Sequence, residues 1–366
     1  MLVIISTILA VIVVAAYAVL RYYPPLGAPQ SKERRQQLSL SKQYGSGKFA
    51  YPIPTPMGMS IKETLKLLLQ FIRGNPHAKP SGPVAVEPLN VSLFRESQQH
   101  PRVTWFGHSA ALLQLNSLTL LLDPMFGRAP SPFPGIGGKR FSDKLPMEIE
   151  QLPDIDAVFI SHDHYDHLDY GSILRLKSKV KRYIVPLGVA PHLVRWGIDP
   201  ARIEEHDWWE EFEYEGLRLA CTPARHFSGR SLTDRDATLW CSWVIQGRGT
   251  KVFFSGDSGY GPHFKEIGSK YGPFDLTLME CGQYDRRWAA IHMMPEETVQ
   301  AHLDVQGRVM IPIHWGAFTL AMHSWTDPVE RAVAAAKQLN ATISTPKIGE
   351  PVLIGSDIYP VSTWWK

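Results

Sequence analysis

Ten short apolar runs, rich in β-branched and aromatic residues, recur between residues 103 and 314 of this chain. Runs of this length and composition are typical of buried β-strands. Helical spacing of apolar residues predicts helices near 170–179, 263–271, 295–305 and 328–339. We therefore expect an α/β domain with enough strands for two sheets. The predicted strands are VTWF, ALLQL, LTLLLD, DAVFIS, RYIVP, LRLACTP, LWCSWVI, KVFFS, LTLME and VMIPIH.

Four of these runs lead into a side chain that can bind a metal. His162 follows AVFIS and His226 follows LACTPAR, while Asp257 follows VFFSG and His314 follows VMIPI. Sites in α/β folds assemble at the carboxyl ends of the strands. The four placements therefore predict that these side chains converge at one edge of the domain.

The stretch SHDHYDHLD, residues 161–169, adds a dense cluster of histidine and aspartate. A straight strand would point His162, His164 and Asp166 to one face and His167 to the other. A helix would align His162 with Asp166 and turn His164 away. Because neither element gathers all four around one ion, a turn that splits them into two pairs is favoured. The pairs are His162 with His164 and Asp166 with His167.

Imidazole and carboxylate ligands suit zinc, and each ion needs more than two protein ligands to be held firmly. His226 and His314 can each complete one pair, and Asp257 can bridge the two ions. A buried structural metal site is the alternative interpretation. Structural zinc prefers thiolates and closed coordination, so these ligand types favour a reactive site.

The H-x-H-x-D-H pattern resembles the signature of the metallo-β-lactamase superfamily. Within it, this chain is similar to the group of N-acyl-phosphatidylethanolamine-hydrolysing phospholipases D and its bacterial relatives, over about residues 100–325. The similar blocks are TWFGHSA (104–110), LLDPMFGRAPSP (121–132), ISHDHYDHLD (160–169), TPARHFSGR (222–230), FFSGDSGYG (253–261), IHMMPEE (291–297) and PIHWGAF (312–318).

The resemblance implies an αββα sandwich, with two β-sheets between outer helices and a di-zinc site at one edge. It also implies hydrolysis of N-acyl-phosphatidylethanolamine to N-acylethanolamine and phosphatidic acid, with a metal-bridging hydroxide as the nucleophile. A homodimer is a further implication, and iron or manganese are alternative metals. The implied ligands are His162, His164 and His226 for one zinc, Asp166, His167 and His314 for the other, and Asp257 as the bridge.

Other residues of these blocks are assigned supporting roles. His292 matches a family histidine beside the metals and is a candidate for orienting the phosphate or assisting departure of the leaving group. A lipid also needs apolar walls and a charge partner for its phosphate. Wall candidates are Tyr165, Trp288 and Phe318; charge candidates are Arg225, Arg286 and Arg287; side chains expected to orient the ligands are His108, Asp123 and Asp169.

The first 20 residues carry no charged side chain, and about 20 such residues can cross a bilayer as a helix. No basic residue precedes them, which disfavours a cleaved signal, whereas Arg21, Arg34 and other basic residues follow. Flanking positive charge tends to stay cytoplasmic. We expect an uncleaved anchor (1–20), a proline-rich leader (21–96) and a cytoplasmic catalytic domain (97–366).

Within the leader, residues 60–73 have the pattern of an amphipathic helix. Apolar residues recur at helical spacing, Ser60 is a plausible N-cap, and Glu63 follows it by three residues. Packing of this helix on the domain is favoured over an interfacial position on a membrane. The basic residues Lys62, Lys66 and Arg73 are the argument for the second interpretation.

Charge excludes one class of function. The formal net charge is +3 and the basic residues form no long runs, so the chain lacks the footprint of a nucleic-acid-binding protein. The remaining alternatives to a phospholipase are a hydrolase of this fold acting on a lactone, a cyclic phosphodiester or a soluble phosphate ester, and a non-catalytic membrane protein. Loss of a metal ligand would favour the last, and none is missing from the sequence.

Overall fold

A computed structural model of the chain describes residues 2–56, 60–90, 94, 100–133 and 135–366. Its α-helices are α1 (Leu2–Tyr22), α2 (Lys32–Leu38), α3 (Ile61–Arg73), α4 (Tyr170–Leu176), α5 (Ala190–Arg195), α6 (His263–Tyr271), α7 (Pro295–Asp304) and α8 (Asp327–Gln338). Short 3₁₀ turns lie at Pro24–Leu26, Ile149–Gln151, Pro200–Arg202 and Arg286–Trp288.

The strands belong to a small hairpin in the leader and to two larger sheets. They are β1 (Tyr44–Gly45), β2 (Lys48–Phe49), β3 (Arg102–Trp105), β4 (Ala111–Leu115), β5 (Leu118–Leu122), β6 (Ile155–Phe159), β7 (Val180–Pro186), β8 (Ile203–His206), β9 (Glu211–Tyr214), β10 (Leu217–Thr222), β11 (Ser242–Gln246), β12 (Lys251–Phe254), β13 (Leu276–Glu280), β14 (Val309–Ile313), β15 (Thr342–Ile343) and β16 (Pro351–Leu353).

Each large sheet has seven strands and changes from antiparallel to parallel pairing partway across. The first has the order β16-β3-β4-β5-β6-β7-β8, and β5 to β8 are parallel. The second has the order β15-β14-β13-β12-β11-β10-β9, and β12 to β15 are parallel. The carboxyl ends of the parallel strands therefore lie together, at the edge where ligand sites form.

The core lies between the two sheets, and helices cover their outer faces. Leu120 and Leu122 of β5 pack in the inner cluster with Trp243 and Phe254 of the second sheet. Leu121, between them in sequence, points the other way and packs with residues of α4 and α5. The helices α6, α7 and α8 cover the second sheet in the same manner. Because successive strand residues point to opposite faces, the strands read as continuous apolar runs. The predicted αββα sandwich is confirmed.

Every one of the ten predicted strand runs overlaps an observed strand, and the four predicted helices are present as α4, α6, α7 and α8. The sequence patterns did not predict the edge strands β8, β9, β15 and β16, the hairpin β1–β2, or the short helices α2 and α5. Strands β8 and β9 carry Glu204, Glu205, Glu211 and Glu213, which interrupt the apolar pattern. They lie at sheet edges, where exposed charged residues are tolerated.

The N-terminal helix α1 stands apart from the sandwich. Its segment Ile4–Tyr22 is long and apolar enough to cross a membrane, with a mean hydropathy of 2.3 and no buried side chain among those the structure describes there. The leader contacts the domain immediately afterwards. Trp196 Nε1 donates to the Pro24 carbonyl at 2.8 Å, and the amide of Ala28 donates to His192 Nδ1 at 2.8 Å. Only a few residues therefore separate the end of α1 from its attachment to the domain.

Candidate metal centre

The strand ends bring the predicted ligands to one edge of the sandwich. His162 follows β6 after Ser161, and Asp257 and His314 follow β12 and β14. His226 lies in the loop after β10. These side chains are almost fully buried, although they belong to different strands of two sheets. The predicted convergence of ligand-type residues is therefore what the structure shows.

Three histidines form the first half of the site. His164 Nδ1 lies 2.9 Å from His162 Nε2 and 3.2 Å from His226 Nε2. Asp257 Oδ2 is 3.8 Å from the Nε2 atoms of both His162 and His226. We call these three histidines the first half-site.

Asp166, His167 and His314 form the second half-site. The Nε2 atoms of His167 and His314 each lie 3.1 Å from Asp257 Oδ2. Asp166 Oδ2 is 3.3 Å from His314 Nε2 and 3.5 Å from His167 Nε2. A single oxygen of Asp257 therefore faces both half-sites, which is the position expected of a bridging ligand.

The donor atoms of both half-sites fit metal ions. Ligand atoms about 2.0–2.2 Å from a tetrahedral zinc lie about 3.3–3.6 Å from one another. The spacings within each half-site, from 2.9 Å to 3.5 Å, are close to that range. Among the described residues, the buried atoms His167 Nε2 and Asp257 Oδ1 have no hydrogen-bond partner. Burial without a partner is costly for polar atoms, and a cation at the centre would remove that cost.

The two half-sites differ in electrostatics. Burial, followed by the charge of neighbouring histidines, holds the pKa of His162 well below its usual value. Burial also opposes the charge on His167, but Asp257 and Asp166 raise its pKa well above the usual value. The first half-site therefore presents neutral imidazoles. The second contains the carboxylates whose charge a bound cation would balance.

Two of the three residues predicted to orient the ligands contact predicted ligands. Asp123 Oδ2 accepts from His167 Nδ1 at 2.7 Å, and Asp123 also accepts from the amide and hydroxyl of Ser161. His108 Nε2 lies 2.8 Å from Asp166 Oδ2. Burial lowers the pKa of His108 to about 3, so the ring is neutral and donates to the carboxylate. Contacts of this kind fix the rotamer and the tautomer of a metal ligand.

The prediction for Asp169 needs correction, and the structure defines a role for Asp163. Asp169 caps helix α4, accepting from the amide and the hydroxyl of Ser172 at 2.7 Å and 2.6 Å. Its side chain is used by that helix end and does not bond a metal ligand among the described contacts. Asp163 is buried and accepts from the amide of Gly229 at 2.8 Å and the hydroxyl of Thr238 at 3.0 Å. It therefore ties the ligand motif to the loop that follows His226.

Glu280 is a site residue that the sequence interpretation missed. It ends β13, between the strands that lead to Asp257 and His314, and its side chain is fully buried. Its Oε2 lies 2.9 Å from His292 Nδ1, and its Oε1 accepts from the amide of Met293 at 2.6 Å. Burial raises the pKa of Glu280, against the opposing charge of His292. The signal was available, because the residue occupies a strand end like the other site residues.

His292 lies at the rim of the centre. Its Nδ1 is 4.0 Å from Asp257 Oδ2, and its ring stacks on His314 with centroids 5.1 Å apart. The side chain keeps 12% exposure, unlike the ligand histidines of the strand ends. Because Nδ1 is held by Glu280, the opposite ring nitrogen is available to a substrate.

The predicted apolar walls occupy different surroundings. Phe318 is buried behind the metal centre, with its ring edge on His108 and the guanidinium of Arg140 over its face at 4.7 Å. Trp288 is half-buried and donates to the Gln283 carbonyl at 2.9 Å. Tyr165 lines a cavity of about 730 Å³, which also touches the leader at Tyr23. Of the three predicted wall residues, Tyr165 is the one that lines a cavity of this size.

The predicted charge partners are largely engaged by other residues. Arg225 donates to the Pro54 carbonyl at 2.9 Å, and Arg287 pairs with Asp285 at 2.6 Å. Arg286 is exposed. Other basic side chains line the cavity beside Tyr165 and outnumber its acidic ones; they are Arg128, Lys139, Arg140, Lys144, Arg175 and Arg230, against Asp143, Glu148 and Asp169.

This chain is similar in sequence to known proteins. The family model described as a β-lactamase superfamily domain matches residues 119–315. An uncharacterized protein of Mycobacterium tuberculosis is 40% identical over 317 residues, 85% of this chain and 84% of that protein. The N-acyl-phosphatidylethanolamine-hydrolyzing phospholipase D 1 of Caenorhabditis elegans is 36% identical over 230 residues, 59% of this chain and 64% of that protein.

A solved structure agrees at the level of the fold. A metallo hydrolase from the archaeon Ignicoccus hospitalis superposes with a TM-score of 0.56 at 21% identity, over 71% of this chain and 100% of that chain. The family model covers more than half of this sequence. The two half-sites lie at the ends of this chain's strands within the matched region. The chain belongs to the metallo-β-lactamase superfamily and has the fold of its metal-dependent hydrolases.

Proposed function

We propose that this chain is a membrane-anchored di-zinc phosphodiesterase that cleaves N-acyl-phosphatidylethanolamine to phosphatidic acid and an N-acylethanolamine. The observation that carries the proposal is the pair of half-sites sharing Asp257 Oδ2. Two metal ions in such a site supply a nucleophile from water at neutral pH and neutralise charge on a phosphoryl group. The relative from Caenorhabditis elegans is named for this reaction.

The chain's own residues position the reactants. Asp257 presents one oxygen to both half-sites, and Asp123 holds His167 in one tautomer through its Nδ1. Attack of water oxygen on phosphorus forms one P–O bond and breaks the P–O bond to the ethanolamine oxygen. That oxygen leaves with a proton, and the phosphate stays on the diacylglycerol as phosphatidic acid.

His292 is suited to serve the leaving oxygen. Glu280 holds His292 Nδ1 at 2.9 Å, which aims the opposite nitrogen away from that buried carboxylate. A positioned imidazole contributes about 10²- to 10⁴-fold when it donates a proton to a leaving group. We therefore assign His292 to the phosphate or the leaving oxygen, and Glu280 to positioning His292.

Replacement of His292 with alanine should lower kcat by about 10²-fold, because the donor near the leaving oxygen is lost. The seven metal ligands remain, so metal content should stay at the level of the unaltered chain. Steady-state kinetics with metal analysis by mass spectrometry measures both quantities. His100→Ala provides a matched histidine control, since His100 is exposed. Unchanged kcat in the His292 variant would remove this residue from the reaction.

Several features suit a lipid substrate. The cavity of about 730 Å³ lies beside Tyr165 and is bounded in part by Tyr23 and Pro25, next to the end of α1. Arg128, Lys139 and Lys144 line this cavity, are exposed and complement an anionic lipid headgroup. An enzyme whose substrate stays in the bilayer gains from an anchor, because its site is then held at the surface where the lipid headgroups lie.

The proposed location is a single-pass anchor with the catalytic domain on the cytoplasmic face. The support is the apolar segment Ile4–Tyr22 and the basic residues that follow it. Protease added to sealed, right-side-out vesicles should leave the domain intact and digest it only after the membrane is opened. Digestion from the outer side of intact vesicles would overturn the orientation.

The substrate is tested by offering the purified chain N-acyl-phosphatidylethanolamine, plain phosphatidylethanolamine and a lactone, followed by product identification by mass spectrometry. The proposal expects phosphatidic acid and N-acylethanolamine from the first lipid. Hydrolysis of the lactone alone would assign the site to a different ester chemistry. Fewer than two metals per active chain would contradict the two half-sites, and iron or manganese in place of zinc would be identified in the same measurement.

A further inference from the structure

Helix α3 presents an apolar surface to solvent. A capping box closes its N-terminus, with Ser60 and Glu63 bonded to each other's backbone amides. Four apolar side chains lie on one side of the helix, each more than half exposed, and we call them the apolar stripe: Ile61, Leu65, Leu68 and Leu69. The sequence favoured packing of this helix on the domain, but these side chains point away from it.

The opposite side of α3 is attached to the domain. Arg287 donates to Gln70 Oε1 at 2.9 Å. At about 100° per residue, Gln70 lies across the helix from Leu65 and Leu68. With Gln70 facing the domain, the apolar stripe faces outward.

The chain segments on both sides of α3 are attached near the metal centre. Before the helix, Thr55 accepts from Arg225, the neighbour of the ligand His226, at 3.3 Å. After the helix, Asn75 donates to the Met322 carbonyl at 2.9 Å, and the Ala78 carbonyl accepts from Thr319 at 2.7 Å. The segments before and after α3 are thus held at the rim of the centre, one by the His226 loop and the other by the segment that follows His314.

The charges that flank the apolar stripe are basic. Lys62, Lys66 and Arg73 are exposed and lie on the side of the helix next to Leu69. The acidic Glu63 is used by the capping box, and Arg287 lies close enough to lower its pKa further. An apolar stripe bordered by basic residues matches the interface of an anionic bilayer, where apolar side chains enter and ammonium groups meet phosphates.

The same rim also carries the end of the membrane-spanning candidate. The Pro25 carbonyl, three residues after α1, accepts from Arg230 at 2.8 Å. Arg225 and Arg230 lie on either side of His226 in one loop, so the segment that follows α1 and the segment that precedes α3 both contact this loop. A bilayer that holds α1 would therefore lie within reach of α3.

We propose that α3 lies in the headgroup interface of the membrane, with the apolar stripe inserted among the lipids, and that it applies the rim of the metal centre to the bilayer surface. This inference rests on the proposed membrane anchor and extends it. In this proposal the apolar stripe contacts the lipid surface. The substrate then passes from the bilayer to the metal centre beside α3.

The first test determines where α3 lies and does not depend on enzymatic turnover. The native thiols Cys221, Cys241 and Cys281 are buried, so a cysteine placed on α3 can be labelled selectively with an environment-sensitive fluorophore. In full-length chain reconstituted in vesicles of phosphatidylcholine and phosphatidylglycerol, nitroxide-bearing lipids should quench L65C or L68C about twofold, as expected about 5–10 Å into the interface. K66C, the matched control on the basic side, should be quenched less. Equal, weak quenching at all three positions would overturn the proposal.

The second test separates surface engagement from chemistry. The variant L65S/L68S/L69S should lower kcat/KM for lipid in vesicles by about tenfold, since burial of three leucines is lost. Hydrolysis of the water-soluble bis(p-nitrophenyl) phosphate should not change, because the apolar stripe does not touch the metal centre. An equal fall for both substrates, or protection of the fluorophores only in a dimer of the detergent-solubilised chain, would contradict the inference. If the chain does not cleave N-acyl-phosphatidylethanolamine, the proposed function fails, but the quenching measurement still tests the position of α3.

Discussion

Replacement of Asp257 with alanine is expected to lower kcat/KM by about 10³-fold or more and to reduce bound metal below two ions per chain. Asp257 Oδ2 faces both half-sites, at 3.1 Å from His167 Nε2 and His314 Nε2 and at 3.8 Å from His162 Nε2. Its loss would remove the proposed bridging ligand and, with it, several kcal/mol of charge stabilisation in the proposed reaction. Kinetics and metal analysis of the purified chain measure the two effects.

Asp275→Ala is the matched control for that experiment. Asp275 lies just before β13, away from the metal centre, and pairs with Arg308 at 3.3 Å. This control should keep both metals and full activity. An Asp257 variant that retained two tightly bound metals with unchanged kcat/KM would refute the bridging assignment.

Replacement of Arg230 with alanine is expected to cost about 3 kcal/mol or more in the free energy of unfolding. The guanidinium is buried, and it donates to the carbonyls of Asp163, Leu168 and Pro25. Its removal leaves these buried carbonyls without charged donors, at about 1–3 kcal/mol each. The stacking of the guanidinium over the Tyr165 ring, at 4.2 Å from the centroid, is lost as well.

Thermal unfolding of the detergent-solubilised chain measures this cost as a Tm lowered by several degrees. Arg218→Ala serves as the control, because the Arg218 side chain is 76% exposed and should leave Tm unchanged. The Arg230 variant should also bind metal more weakly, since Asp163 and Leu168 belong to the ligand motif. A Tm equal to that of the unaltered chain would show that the carbonyls find other partners.

The pattern of apolar runs was sufficient to predict strands for two sheets and the convergence of the ligand-type residues, whereas the sandwich arrangement was implied by the family resemblance. Strands buried on two faces are continuous apolar runs, so their ends can be read from the sequence. The residues that follow those ends, such as His162, Asp257 and His314, then share an edge of the sheet. The split of the 161–169 cluster into two pairs also followed from spacing alone.

Roles that depend on hydrogen bonds were not predictable in this way. Asp169 follows the ligand motif, yet it caps α4 because its carboxylate accepts from Ser172, three residues later in the sequence. Glu280 lies at a strand end, close to where the predicted ligands follow their strands. However, its hydrogen bond with His292 Nδ1 is visible only in the fold. The outward rotation of α3 likewise depends on Gln70 meeting Arg287, a contact between residues far apart in the chain.

Because the connection between α1 and the domain is short, the substrate concentration that such an enzyme meets is a concentration within the membrane. Pro24 and Pro25 bond to Trp196 and Arg230 directly after the helix, so the domain cannot swing far from its anchor. In the proposed reaction, enzyme and lipid then meet by lateral diffusion in two dimensions. The rate follows the mole fraction of substrate in the enzyme's own membrane, and substrate in other vesicles does not contribute.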